Sequence, residues 1–263
     1  MTNRLKLFGT WKNRLTVRES CDLAAATSRH VRNLPLPFEL GVCPPMTALA
    51  PVRDVLNDEI LMAAQNVVWD DDVSFTGETS AKALVELGAS FVIIGHSERR
   101  LYLEESDTIV AKKVGTALAH GITPIICIGE FFEDHNTGRS LDVIRSQFQA
   151  IYDVVDERMP ADIILAYEPA WAISTSKQAL KCEPQEANSR HQFIRQLLKD
   201  AWSSEVALKT SIIYGGSVSS TNVEGYFQQP DIDGGLAGTA SQSAESFRSL
   251  IDGAKQVFDR KIS

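Results

Sequence analysis

The sequence predicts a single-domain α/β protein built as an eight-stranded (β/α)8 barrel. Three observations carry this expectation. Eight short apolar runs recur along the chain, at 5–9, 38–43, 60–65, 91–95, 123–129, 162–167, 211–214 and 232–237. Most are apolar without alternation, as expected of strands buried on both faces of a parallel sheet. Segments with helical spacing lie between them, at 80–87, 108–120 and 188–202, the last with Phe193, Ile194, Leu197, Leu198 and Trp202 on one side. Strand and helix in regular alternation favour this architecture, and 263 residues suit one large domain spanning 1–263. A doubly wound open sheet is the competing layout. It commonly shows G-x-G-x-x-G after the first strand, where this chain reads Gly9-Thr-Trp-Lys-Asn-Arg14, and no P-loop pattern occurs.

Composition narrows the function. With 44% hydrophobic and 23% charged residues the chain can bury a large core. Lys and Arg total 26 against 34 Asp and Glu, a net charge of −8, so neither nucleic acid nor an anionic membrane is an expected partner. An anionic substrate must be held by local dipoles and a few placed cations. Cys21, Cys43, Cys127 and Cys182 form no C-x-x-C pair, which suits a reducing compartment rather than a zinc site or a disulfide framework. No stretch approaches 18 apolar residues and the first residues lack an apolar signal, so a cytoplasmic protein is expected. Asp70-Asp-Asp72 reads as a solvated acidic turn, and no metal or organic cofactor is expected.

In such a barrel the active site forms at the C-terminal ends of the strands. Those ends read Thr10-Trp-Lys12, His96-Ser-Glu-Arg99, Cys127-Ile-Gly-Glu130, Glu168-Pro-Ala-Trp-Ala-Ile173, Gly215-Gly-Ser217 and Gly238-Thr-Ala240. A cation, an imidazole, a carboxylate and two small-residue turns therefore share one mouth. Such a set can move a proton beside the carbonyl of a phosphorylated substrate.

Longer motifs carry a resemblance. Ile94-Gly-His-Ser-Glu-Arg-Arg100, Ala166-Tyr-Glu-Pro-Ala-Trp-Ala-Ile173 and Tyr214-Gly-Gly-Ser-Val218 are similar to signatures of the triosephosphate isomerase family. Ala64-Gln-Asn66, Phe75-Thr-Gly-Glu78 and Cys127-Ile-Gly-Glu130 follow in the matching order, and the likeness runs from Trp11 to about Ala240. The resemblance implies a TIM barrel, a homodimer without cofactor, and isomerisation of dihydroxyacetone phosphate and D-glyceraldehyde 3-phosphate through an enediolate, a step of glycolysis and gluconeogenesis. It makes Glu168 the base, His96 the electrophile and Lys12 the substrate cation. His96 begins a helix, whose positive end favours a neutral, hydrogen-bond-donating ring. The resemblance also gives Thr10, Ser174, Ser217, Gly238 and Thr239 to substrate and phosphate, and Glu98 to the surroundings of the catalytic groups. Cys127 there reads as a packing residue rather than a nucleophile. Thr76 is expected to reach a partner subunit near Thr10 and Glu98.

Four departures stand out against the family pattern. Thr10 replaces the usual Asn, Ser174-Thr-Ser176 replaces Gly-Thr-Gly, the stretch 177–184 is longer, and Gly238-Thr239 replaces Gly-Gly. Thr10 leaves room beside the reacting carbons, and because family members that act on four-carbon ketose phosphates carry a small hydroxyl residue in place of that Asn, the resemblance raises an erythrulose phosphate as an alternative substrate. A non-catalytic phosphosugar-binding barrel is a third reading, opposed by the presence of Lys12, His96 and Glu168. A Schiff-base aldolase needs a desolvated strand lysine, and neither 163–167 nor 125–128 offers one.

Overall fold

The computed structural model describes residues 5–70, 72, 74–155, 163–173 and 180–262. Eight parallel strands close in sequence order: β1 (Leu5–Thr10), β2 (Phe38–Cys43), β3 (Ile60–Ala64), β4 (Phe91–Ile94), β5 (Thr123–Ile128), β6 (Ile164–Tyr167), β7 (Ser211–Tyr214) and β8 (Gly234–Ala237). β8 returns to β1 with Leu236 beside Phe8. The expected barrel is therefore present. Around it run α1 (Val17–Val31), α2 (Leu49–Arg53), α3 (Ala81–Glu86), α4 (Ser97–Tyr102), α5 (Asp107–Ala119) and α6 (Phe132–Asn136). They are followed by α7 (Ser140–Tyr152), α8 (Pro184–Ala201), α9 (Ser204–Lys209), α10 (Val223–Phe227) and α11 (Ala244–Ile262).

Successive strand residues face opposite ways. Phe8, Ile93, Ile125, Ile164, Ile213 and Leu236 belong to a cluster that fills the barrel, while Leu7, Leu40, Val92, Ile126 and Leu165 join the helices in an outer core. Burial on both faces is why the strand runs show no polar alternation. Lys6 interrupts the first run without breaking it, because its ammonium pairs with Glu39 of the neighbouring strand at 2.5 Å. The interior is tight: a Cβ on Gly41 would overlap the Phe8 ring.

The helices begin and end where local chemistry allows. α1 opens with a reciprocal capping box, Thr16 Oγ1 accepting the Glu19 N–H and Glu19 Oε2 accepting the Thr16 N–H. Ser80 and Ser106 cap α3 and α5 through their hydroxyl oxygens. Ser106 sets the start of α5 at Asp107, one residue before the apolar spacing predicts. α8 starts four residues before its apolar pattern, since Pro184 stands at the first helical position and the opening turn is polar. β8 begins two residues later than the apolar run; Asp233, just before it, bonds both neighbouring strands through its backbone, accepting the Lys6 N–H at 3.0 Å and donating to the Ile212 carbonyl at 2.9 Å, while its carboxylate accepts from Arg195 and from the Ile212 N–H.

Replacing Gly41 by Ala is expected to cost about 1–3 kcal/mol of stability through overpacking against Phe8. Denaturant titration checks this, and an unchanged midpoint would contradict the close packing.

Candidate active site

The last residue of β1, Thr10, is buried at the C-terminal mouth of the barrel. Two residues later Lys12 adopts φ 52°, an unfavourable left-handed backbone for a side-chain-bearing residue. Gln65 holds it there, its amide donating to the carbonyls of Lys12 at 2.8 Å and Cys43 at 2.9 Å. Lys12 Nζ reaches Glu98 Oε1 at 2.7 Å. Its aliphatic tail passes Gly238, where an added Cβ would sit 3.6 Å from Lys12 Cε.

His96 follows β4 and caps α4. Its Nδ1 accepts the backbone N–H of Glu98 at 3.2 Å, which leaves Nε2 to carry the proton of the neutral ring. That Nε2 lies 2.9 Å from Glu168 Oε1. The other oxygen, Oε2, accepts the Ser97 N–H at 2.7 Å. Glu168 comes immediately after β6, where its own N–H bonds to the Ile128 carbonyl at 2.8 Å. Its backbone runs so near Gly129 that any Cβ there would overlap the Glu168 carbonyl.

Glu168 is only 3% exposed. Burial pushes its carboxyl upward, but the hydrogen bond from His96, the Ser97 N–H and the Lys12 ammonium outweigh it and hold it below the usual glutamate range. Lys12, His96 and Glu168 line a single cleft with Thr10, Gly215 and Gly238. Three groups far apart in sequence thus meet as expected. A carboxylate ready to accept a proton, an N–H donor and a cation can together labilise a proton next to a carbonyl and stabilise the resulting oxyanion.

The other expected residues divide. Gly215 lies against the Glu168 side chain and Gly238 against Lys12, so the turns after β7 and β8 flank the acid–base pair. Ser217 and Thr239 are exposed at those turns, Thr239 opening a 3-10 turn that ends at Ser241. Ser174 lies outside the described residues. Glu98 pairs with Lys12 and also stands 3.7 Å from His96 Nδ1. Cys127 is buried, and burial followed by the Glu168 charge raises its thiol well above the ordinary range, so it packs rather than attacks. Thr76 is exposed on the loop between β3 and α3. Asn66 ties that loop to Glu78 and to Lys113, whose ammonium is buried against Glu105.

Sequence reasoning assigned no part to Gln65, Ser97 or Ser241. Ser241 accounts for the joint between the first and last strands, its hydroxyl lying within bonding distance of the carbonyls of Thr10, Ala237 and Gly238. Gln65 and Ser97 stand inside quoted motifs, but an amide that props a backbone and an N–H that holds a carboxylate leave no chemical signature in residue type. Beside the cleft opens a cavity of about 600 Å³, lined by Thr10, Lys12, Gln65, Glu98, Tyr102 and Leu103. A groove of about 730 Å³ between α1 and α11 lies elsewhere and contains none of the convergent groups.

A profile of the triosephosphate isomerase family matches residues 6–254. The triosephosphate isomerase of Rhodopirellula baltica is 39% identical over 255 residues, covering 97% of this chain and 99% of its own. That of Protochlamydia amoebophila is 38% identical, covering 96% and 94%, and that of Chloroflexus aurantiacus 41% identical, covering 92% and 96%. Motif order, barrel closure and identity along nearly the full length agree: the chain belongs to the triosephosphate isomerase family.

Proposed function

We propose that this chain interconverts dihydroxyacetone phosphate and D-glyceraldehyde 3-phosphate by proton transfer through an enediolate. Glu168 removes a proton from the hydroxyl-bearing carbon beside the carbonyl and returns it to the former carbonyl carbon, while the hydroxyl proton passes to the former carbonyl oxygen. His96 Nε2–H donates to the carbonyl oxygen, and Lys12 stabilises the negative charge that develops there. The observation that carries this reading is the hydrogen-bonded His96–Glu168 pair with a neutral-ring donor at Nε2. In the structure that donor faces Glu168, so an arriving carbonyl competes for the same N–H while the carboxylate turns toward carbon. The turns at Gly215-Gly-Ser217 and Gly238-Thr239, with Ser174, serve the phosphate, where barrels of this class commonly bind it.

The protein works as a homodimer in this reading. Leu101, Tyr102 and Leu103 are 55%, 65% and 62% exposed, and Phe75 stands out on the loop that carries Thr76. Tyr102 and Leu103 line the 600 Å³ cavity beside Lys12 and Glu98, and this exposed apolar stretch is suited to a second copy. Thr76 of one subunit would enter the cavity of the other. No helix among the described residues is long and apolar enough to cross a membrane, and the free cysteines suit a reducing cytoplasm.

Assays on D-glyceraldehyde 3-phosphate should show kcat/KM above that for erythrulose phosphates. Glu168→Gln should lower kcat by about 10³-fold, since a positioned base contributes 10²–10⁴. Activity within tenfold of the parent would move the base elsewhere.

Once the substrate phosphate, which titrates near about pH 6, is allowed for, the enzyme's own acidic limb of kcat/KM should lie below pH 4.5, the ordinary glutamate value, because the base must be ionised and its carboxyl is held low. The folded chain binds this proton less readily than the unfolded one. Glu168 therefore contributes stability that is full above the ordinary value and is lost as pH falls through the folded one. Initial rates against pH, with circular dichroism to track folding, check both.

Sedimentation should give about twice 28.9 kDa. Tyr102→Asp should shift the chain toward monomer with a fall in kcat, and an active monomeric parent would remove the dimer.

A further inference from the structure

His135 lies outside the acid–base set, on the short helix α6, yet it touches the segment that carries the base. Its ring stacks on the indole of Trp171, with centroids 3.9 Å apart and planes 24° from parallel. Trp171 is 2% exposed and donates its Nε1–H to Glu130 Oε1 at 3.0 Å, an oxygen that also accepts the Tyr167 hydroxyl at 3.1 Å. The backbone alongside is fastened to the same stretch of chain, Glu168 N–H to Ile128 O at 2.8 Å and Ala170 N–H to Glu130 O at 3.0 Å. Residues 168–172 therefore rest on 128–135, and the indole is the large side chain that sets how they rest.

The His135 contact is made by the ring face. Its Nδ1 is buried and makes no hydrogen bond, standing 3.9 Å from Glu130 Oε1 and 3.8 Å from Glu186 Oε1, beyond hydrogen-bond reach. Glu186 is drawn instead toward Arg190, 3.5 Å away. A flat ring packed on an indole, with its buried nitrogen unused, is suited to restricting movement of that indole.

We propose that His135 is a positioning residue for the isomerase reaction: by stacking on Trp171 it fixes the segment 168–172 and so the aim of the Glu168 carboxylate. This rests on the assignment of Glu168 as base. Small misplacements of a reacting group carry large rate losses, and the phosphate turns after β7 and β8 are built on other strands. The loss on weakening the clamp therefore falls on kcat rather than on KM.

The test uses His135→Ala and His135→Phe in the full chain. His135→Ala should lower kcat about five- to tenfold with KM within about twofold, the size expected for one aromatic contact. His135→Phe, which keeps the flat ring and discards both nitrogens, should restore kcat to within about twofold of the parent. Hydrogen exchange at the Trp171 indole N–H, assigned by its loss in Trp171→Phe, should quicken in the Ala variant and stay slow in the Phe variant. Unchanged kcat in His135→Ala, equal loss in both variants, or a loss confined to KM would each overturn the proposal. The exchange measurement reads the clamp without reference to catalysis. If Glu168→Gln proved active while the indole N–H still responded to His135→Ala, the base assignment would fail and the clamp would stand.

Discussion

A carboxylate buried at the mouth of the barrel is the constraint around which the rest is arranged. An ionised glutamate that is 3% exposed needs donors to compensate for lost water, and Glu168 has two, the Ser97 N–H and the His96 Nε2–H. Both come from the turn after β4, while the carboxylate comes from the end of β6. Strand closure alone brings them together. β5 stands between these strands, and there Gly129 has no side chain to obstruct the Glu168 backbone. A Cβ at 129 would push Glu168 away from its donors. The same two donors keep the carboxyl in its charged form despite burial, so the residue is both anchored and ionised in the resting site.

The cation at position 12 is held by a different device. A left-handed Lys costs on the order of 1–3 kcal/mol, and the hydrogen bonds from Gln65 to the carbonyls of Lys12 and Cys43 keep the chain in that conformation. Gln65 follows β3, so the end of the third strand props the turn after the first. Strain at Lys12 is offset by a polar bond from a rigid neighbour, and the ammonium gains a fixed position beside Glu98 and Gly238.

Most of the barrel is legible in the sequence because the strands are buried on both faces and read as uninterrupted apolar runs. Where the reading slipped, a polar residue stood in for the signal. Asp233 sits in an apolar run, yet its carboxylate binds Arg195 and the Ile212 N–H just before the eighth strand begins at Gly234. The polar first turn of α8 hid a helix that begins at Pro184. The convergence of Lys12, His96 and Glu168 on one cleft was legible because each stands just past a strand end. Gln65, Ser97 and Ser241 were not, since they act through ordinary hydrogen bonds whose partners, at 12, 168 and 10, lie far away in the chain. Glu98, expected beside Lys12 and His96, pairs with the Lys12 ammonium at 2.7 Å.

An acidic chain that must hold an anionic substrate poses an electrostatic question, and the site resolves it locally. Fields from exposed carboxylates fade over about 8–10 Å at physiological salt, so a net charge of −8 spread over the surface scarcely reaches the mouth. Within it, Lys12 stands paired with Glu98, and Glu168 is paired with two N–H donors. A free cation there would attract any anion in solution. A cation already paired favours a ligand whose negative charge develops beside it, and in the proposed reaction that charge appears on the enediolate oxygen next to His96 as Glu168 is neutralised by the proton it accepts. In that reaction charge moves from carboxylate to oxyanion within one cleft, and His96, a donor to the first, is the donor the proposal gives to the second.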